Sequence, residues 1–262
     1  MADDRPRLGH AILAMHDPFP GHEHAFNRWY EDDHMLGAGS MAPWTIAVSR
    51  YVAPRELKAL RYPDDGPFGP AGRGSYLALY WIQAGRLADQ QTWVTDQMVT
   101  IGEQGRTFAE RDAVTATTYD VAGTLQADPD GVPPVLALHR NYPGVVLTVL
   151  ERADETSLDR LTRWVLDDWF GPRLTGSTID QVVVFAPRPK EPWWPAAYPE
   201  VEGVDDRRFV LAFTTGDPAT AFADVVVPLG PAVEAAGVGR VALAAPFLAC
   251  VVGTDTYADR LW

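Results

Sequence analysis

The sequence predicts an α+β protein in which two tandem βαββαβ units turn their antiparallel sheets toward each other and close into one barrel. Three observations predict it. The stretch Phe26-Asn27-Arg28-Trp29-Tyr30-Glu31-Asp32-Asp33-His34-Met35 recurs in weaker form as Leu161-Thr162-Arg163-Trp164-Val165-Leu166-Asp167-Asp168-Trp169-Phe170, each position displaced by 135. Each half reads as strand, helix, strand, strand, helix, strand. Between the halves, Gln126-Ala127-Asp128-Pro129-Asp130-Gly131-Val132-Pro133-Pro134 has the proline, glycine and acidic content of a linker. The units are set at residues 1–125 and 144–262, with the linker at 126–143.

In the first unit, the apolar run from Leu8 to His16 is a strand, ended at Asp17-Pro18-Phe19-Pro20, where two prolines withhold backbone donors. A helix follows from about His22 to Met35. Phe26, Tyr30 and His34 recur at i, i+4 and i+8 with Trp29 alongside, giving an aromatic stripe on one face. Gly37, Gly39 and Pro43 are expected to stop it. Trp44 to Tyr51 and Ser75 to Ile82, rich in aromatic and β-branched residues, are the second and third strands. A long loop with Pro63-Asp64-Asp65-Gly66-Pro67 joins them. Val94, Met98 and Ile101 mark the inward face of a helix from about Leu87 to Gly102, and Ala113 to Val121 is the fourth strand.

The second unit opens with a strand at Gly144 to Arg152. Thr156 with Asp159 three residues on supplies a helix start, before Leu158, Leu161, Val165 and Trp169 form the inward stripe. Gln181 to Phe185 and Phe209 to Phe213 are strands. Asp217-Pro218 gives the last helix an N-cap and a first-turn proline, Pro228 and Pro231 are expected to kink or shorten it, and Gly239 to Val252 contains the final strand. This order of elements is the ferredoxin-like arrangement, a four-stranded sheet with both helices on one face. The bare sheet face needs a partner, and a tandem copy supplies one. The chain is therefore expected to be a monomer built as a fused pseudo-dimer, with a homodimer as the alternative.

At 262 residues, 47% hydrophobic and 22% charged, the chain has the profile of a globular protein with one large or two modest cores. A net charge of -13 argues against a nucleic acid or an anionic membrane as partner, since both repel an acidic surface. Met1 to Arg7 is polar with no apolar run after it, so the expected location is the cytoplasm. Cys250 is the single cysteine, which excludes an intrachain disulfide and a thiolate-rich zinc site.

Tyr30 and His34 survive only in the first copy, as Val165 and Trp169 replace them, so chemistry is expected in the first half. An imidazole near a helix C-terminus is suited to proton transfer at neutral pH, and both the helix end and Asp33 would favour its protonated form. Tyr30, one turn earlier, can donate its hydroxyl to a substrate oxygen; Asp33 can orient His34 or pair with Arg28. Trp29, Trp44, Tyr51 and Tyr80 are expected to line an apolar pocket, and Arg50 to hold a carboxylate or phenolate. His10 and His16 share a strand face about 20 Å apart, too far for one metal ion; His16 with His34 remains a feasible pair at the site. No metal site is predicted. Trp193-Trp194-Pro195 reads as a lid over the second cleft or a wedge against the first half.

The motif Phe26-Asn27-Arg28-Trp29-Tyr30-Glu31-Asp32-Asp33-His34 on the first helix, followed by a strand ending Ser49-Arg50-Tyr51, resembles the EthD-like members of the dimeric α/β-barrel superfamily. The resemblance covers roughly residues 7 to 121 directly and the second half through the repeat. The proline that usually follows the helix histidine is missing, since Met35-Leu36-Gly37-Ala38-Gly39 stands there. The superfamily includes cofactor-independent monooxygenases of aromatic polyketides, muconolactone isomerases, polyketide cyclases and haem-binding enzymes. The resemblance implies an enzyme, a lyase or isomerase or else a cofactor-independent monooxygenase, acting on a hydrophobic, aromatic or polyketide-like small molecule. Acid/base chemistry at His34 with isomerisation, cyclisation or elimination is the leading reading. A cofactor-free monooxygenase of an electron-rich aromatic and a non-catalytic binding or accessory protein of a degradation pathway are the alternatives. No phosphate loop or dinucleotide fingerprint appears, so no cofactor is expected; haem stays open, because one histidine in a barrel cleft can serve as an axial ligand.

Overall fold

The computed structural model describes residues 5–262 apart from Trp193, Pro195, Ala197, Val201 and Glu202. In chain order the elements are β1 (Leu8–Pro18), α1 (Glu23–Trp29), β2 (Thr45–Val52), α2 (Arg55–Lys58), the short hairpin β3 (Asp65–Gly66) and β4 (Gly69–Pro70), β5 (Tyr76–Gln83), α3 (Leu87–Glu103) and β6 (Arg111–Gln126). They continue with β7 (Gly144–Arg152), α4 (Leu158–Arg163), α5 (Gly171–Leu174), β8 (Ile179–Pro187), β9 (Arg207–Thr214), α6 (Pro218–Ala221), α7 (Leu229–Ala235) and β10 (Gly239–Ala249).

The long strands form one closed antiparallel barrel in the order β1-β5-β2-β10-β7-β9-β8-β6. Within residues 8–126 the neighbours run β2-β5-β1-β6, and within 144–249 they run β10-β7-β9-β8. Two seams join these runs. β6 pairs with β8 from Tyr119↔Pro187 to Gln126↔Gln181, whereas β2 meets β10 only at Val52↔Leu248 and Tyr51↔Ala249. β6 overruns its expected end at Val121 because its last residues are needed to pair with β8.

Strand alternation sorts the side chains into two layers. Leu13 and Met15 of β1, Leu77, Leu79 and Trp81 of β5, and Phe209, Leu211 and Phe213 of β9 point inward and fill the barrel. Each fully buried side chain of this size is worth about 1.5–3 kcal/mol in removed apolar surface. The segment read as a linker takes part: Pro134–His139 forms a short 3₁₀ turn whose Ala137 and Leu138 enter this core, and Trp81 Nε1 donates to the Pro134 carbonyl. Outward-facing residues meet the helices. In the second half, Val165, Trp169 and Phe170 fill the space between helices and sheet, in one cluster with Val182, Val184 and Val210.

The helices depart from the expected pattern. α1 does not stop at Gly37 but continues as wide π-helical turns over Tyr30–His34 and Leu36–Ser40, shown by bonds from Met35 N to Tyr30 O and from Met41 N to Leu36 O. Gly39 is needed for close approach instead of termination, because a Cβ there would lie 2.5 Å from Tyr80 Cε1. In the second half the helix start is capped by Ser157, one residue after the expected Thr156, with its side chain accepting from Arg160 N, whereas Asp217 caps the last helix through Ala219 N as expected. No helix among the described residues is long and apolar enough to cross a membrane.

Candidate active site

A cavity of about 360 Å³ lies between the outer face of the first-half sheet and its helices. Its floor is Ile12 and Ala14 of β1 with Ala116 of β6, and its walls are Ala38 of the wide turns and Val94, Met98 and Val99 of α3. The space exists because Ala14, Ala38 and Ala116 are too small to fill it. The volume falls within the roughly 300–1,000 Å³ usual for small-molecule sites, and the apolar lining suits a flat hydrophobic ligand.

Four of the expected residues, His16, Tyr30, His34 and Tyr80, line this cavity. Tyr30 and Tyr80 share a hydrogen bond between their hydroxyls at 2.7 Å, and burial pushes the Tyr30 phenol up to about 12 and the Tyr80 phenol well above its ordinary value. Both therefore keep their protons at neutral pH. His16 Nε2 is 3.0 Å from the Tyr198 hydroxyl, while its Nδ1 is buried with no partner. Burial, aided by Arg111, His34 and Arg50, holds His16 well below the usual histidine range.

His34 sits in the first wide turn, its ring stacked on Trp29 at 4.7 Å between centroids and edge-on to Tyr30 at 5.0 Å. Neither ring nitrogen has a hydrogen-bond partner among the described residues. Burial, followed by the positive charge of Arg111, lowers its pKa to about 4 even though Asp33 pulls the other way. The imidazole is thus neutral at pH 7, which corrects the expected protonated form. A helix end and a neighbouring carboxylate would have charged it, but Asp33 is committed to Arg106 Nε at 2.9 Å, and that guanidinium holds the carboxyl below its usual value.

The other expected residues do not line the cavity. Asp33 turns to Arg106 and not to His34 or Arg28, and Arg28 pairs with Asp255 at 2.8 Å. Trp29 stands behind His34 and donates from Nε1 to the Arg106 carbonyl. Trp44 precedes β2 with a φ of 69° and stacks on Arg86. Tyr51 faces the barrel interior, on the opposite side of β2 from the helices. Arg50 is buried, bonded to Glu31 Oε1 at 2.7 Å and Asn27 Oδ1 at 2.8 Å, with its guanidinium 4.5 Å from the centre of the Tyr30 ring. It supports the back of Tyr30. Of the expected lid or wedge, Trp193 and Pro195 lie outside the described residues, but Trp194 lines the first-half cavity together with Tyr198. Tyr198, Thr95 and Thr107 are polar lining residues that sequence reasoning missed, and so was Arg111, which acts on the site by its charge from outside the lining. Tyr198 arrives from the connection between β8 and β9 of the other half, and nothing local marks it. Among the described residues no group of three or more histidine, cysteine or acidic side chains could hold a metal ion.

No family model matches the sequence, and no curated protein matches it significantly. Solved structures do. An anthrone oxidase-like protein superposes with a TM-score of 0.54 at 10% identity, covering 95% of this chain and 95% of its own. A candidate chlorite dismutase gives 0.54 at 11%, covering 98% and 100%. A haem-binding protein from Thermus thermophilus gives 0.50 at 11%, covering 98% and 96%. The expectation that no cofactor is involved is corrected by this set, in which a haem-binding protein has the same fold along nearly the whole chain. At these identities the likeness establishes architecture, and the chain has the fold of the ferredoxin-like dimeric α/β-barrel proteins.

Proposed function

We propose that the protein is an enzyme whose first-half cavity would hold haem, with His34 as the residue that would ligate the iron. The observation that carries this reading is an imidazole set in the lining of an apolar cavity with neither ring nitrogen bonded among the described residues, and burial holds its pKa down, at about 4. A neutral imidazole is the form that ligates iron. The donor set fits in other respects. Stacking on Trp29 fixes the ring plane of His34, and Ile12, Val94 and Met98 would offer apolar surface to a bound macrocycle.

Haem supplies one-electron and oxygen chemistry when bound. The chain's own groups arrange the surroundings. Tyr30 and Tyr80 present neutral hydroxyls whose protons stay in place at neutral pH, and His16 and Tyr198 hold one proton between Nε2 and the phenol oxygen. All four of these side chains are buried, which strengthens each of these hydrogen bonds. A hydrophobic small molecule, aromatic or polyketide-like, is the substrate class that the apolar walls admit.

A second reading is favoured by the Tyr30–Tyr80 hydroxyl pair. The aromatic molecule itself fills the cavity, His34 removes a proton, and Tyr30 donates a hydrogen bond to the developing oxyanion, giving isomerisation, cyclisation or elimination. His34 is poorly matched to that work, since a general base is most effective with a pKa near the working pH. We also read the two halves as copies of one EthD-like unit. The shared strand order supports this, and the burial of Val165 and Trp169 in the second-half apolar cluster, where the first half has Tyr30 and His34, fits a second copy kept for architecture.

Titrating the full chain with haemin tests the first reading. A saturable red-shifted Soret band at one equivalent is expected, with affinity reduced at least tenfold in His34→Ala. Equal affinity in that variant, or no band at all, rejects haem ligation by His34 and leaves the proton-transfer reading to be tried on aromatic substrates.

A further inference from the structure

Two hydrogen-bonded pairs in the cavity lining each hold one hydrogen more than the chain can use. Tyr30 and Tyr80 share a single bond at 2.7 Å, so one hydroxyl donates and the other keeps a hydrogen with no acceptor among the described residues. In the second pair His16 Nε2 lies 3.0 Å from the Tyr198 hydroxyl, and His16 Nδ1 is buried without a partner. If Tyr198 were the donor, the neutral imidazole would carry its hydrogen on Nδ1, a buried donor with no acceptor, which folded proteins rarely tolerate. With the hydrogen on Nε2, His16 donates to the Tyr198 oxygen and the phenol hydrogen of Tyr198 is left over. Arg111 also approaches that oxygen, but a guanidinium has only donors and cannot take the hydrogen.

These four side chains sit in a lining that contains no lysine, arginine, aspartate or glutamate among the described residues. The two histidines of the lining, His16 and His34, are held neutral by burial. An ionised group placed there would lose its water with no opposite charge beside it, which is costly. A carbonyl oxygen meets both conditions, since it is uncharged and only accepts hydrogen bonds. We infer that the ligand of this cavity is a flat aromatic molecule bearing a neutral carbonyl, and that Tyr198, supplied by the second half, donates the hydrogen bond that selects it. The inference rests on the reading of the cavity as a site for a hydrophobic aromatic ligand and adds the functional group by which that ligand is recognised. His16 is the positioning residue, because its bond turns the Tyr198 hydroxyl from a donor within the chain into a donor for the ligand.

The experiment compares 2-acetylnaphthalene with 2-isopropenylnaphthalene, which has the same shape with a methylene in place of the oxygen, and with 2-naphthoate, which adds a charge. Binding to the full chain is measured by equilibrium dialysis at neutral pH without haemin, for wild type and Tyr198→Phe, so the result does not depend on iron ligation by His34. In wild type the ketone is expected to bind about tenfold tighter than either of the others, since it alone offers an acceptor without a buried charge. Tyr198→Phe is expected to lose most of that preference, while affinity for the alkene changes less than about twofold. Infrared difference spectra of the isotope-labelled ketone on wild type supply a readout that needs no variant: the carbonyl stretch is expected to fall below its position in a hydrocarbon solvent. Equal binding of ketone and alkene, or an unshifted stretch, overturns the inference and leaves the cavity standing as an apolar site. Binding of none of the three overturns the inference together with the reading it rests on. Tighter binding of naphthoate than of the ketone rejects the neutral ligand, and a ketone preference unchanged in Tyr198→Phe rejects Tyr198 as its source.

Discussion

Burial, Arg111 and Arg50 keep the His34 imidazole neutral, and Asp33 cannot reverse this because its carboxylate faces Arg106. The unfolded imidazole titrates near 6.5 and the folded one near 4, so between these values the unfolded chain binds a proton that the folded chain refuses. Stability is therefore expected to be full above about pH 6.5 and to fall as pH drops toward about 4, with His16 acting in the same direction. Urea midpoints measured across that range check it, and His34→Gln is expected to flatten the decline; an unchanged slope in the variant would refute the assignment. At this scale the sequence was partly legible. The spacing of Phe26, Tyr30 and His34 brought the right side chains to one face, but the protonation of His34 depends on Arg111 and Arg106, which are distant along the chain. Trp44, Arg50 and Tyr51 lie on or beside one strand with little to mark which face each one takes, and only the register with β5 assigns Arg50 to the helices and Tyr51 to the barrel.

The wide turns that continue α1 are the element on which the cavity depends. They carry His34 and Ala38 along one wall and bring Gly39 against Tyr80. π-helical turns are rare and recur at functional sites. Gly39→Ala would put a methyl group inside the Tyr80 ring's contact distance and force the ring to shift, at a cost of about 1–3 kcal/mol. The Tyr30–Tyr80 hydrogen bond is expected to lengthen with it. A lowered melting temperature together with weakened haemin binding is the expected result, and a variant that binds and melts like wild type would contradict this account of the wall. Glycine signals in a sequence do not distinguish a helix end from a point of close approach, which is why Gly37 and Gly39 read as a stop.

The whole molecule is a barrel with one strong and one weak seam. β6 and β8 are paired at seven register positions and β2 and β10 at two, so backbone amides of β2 and β10 at their junction are expected to exchange hydrogen faster than those of β6 and β8. Native-state exchange checks this, and equal protection at both seams would refute it. The alternation of strands and helices made the barrel legible, because each half leaves a sheet face that only another sheet can cover. What the pattern did not contain was the reach of the β8–β9 connection, which brings Trp194 and Tyr198 over a cavity belonging to the other half. The central claim is that His34 meets haem there. It is tested most directly by loading His34→Gly with haemin and adding free imidazole. Loss of the wild-type spectrum in the variant and its return on adding imidazole are expected, whereas a variant spectrum identical to wild type before imidazole is added would rule out ligation by His34.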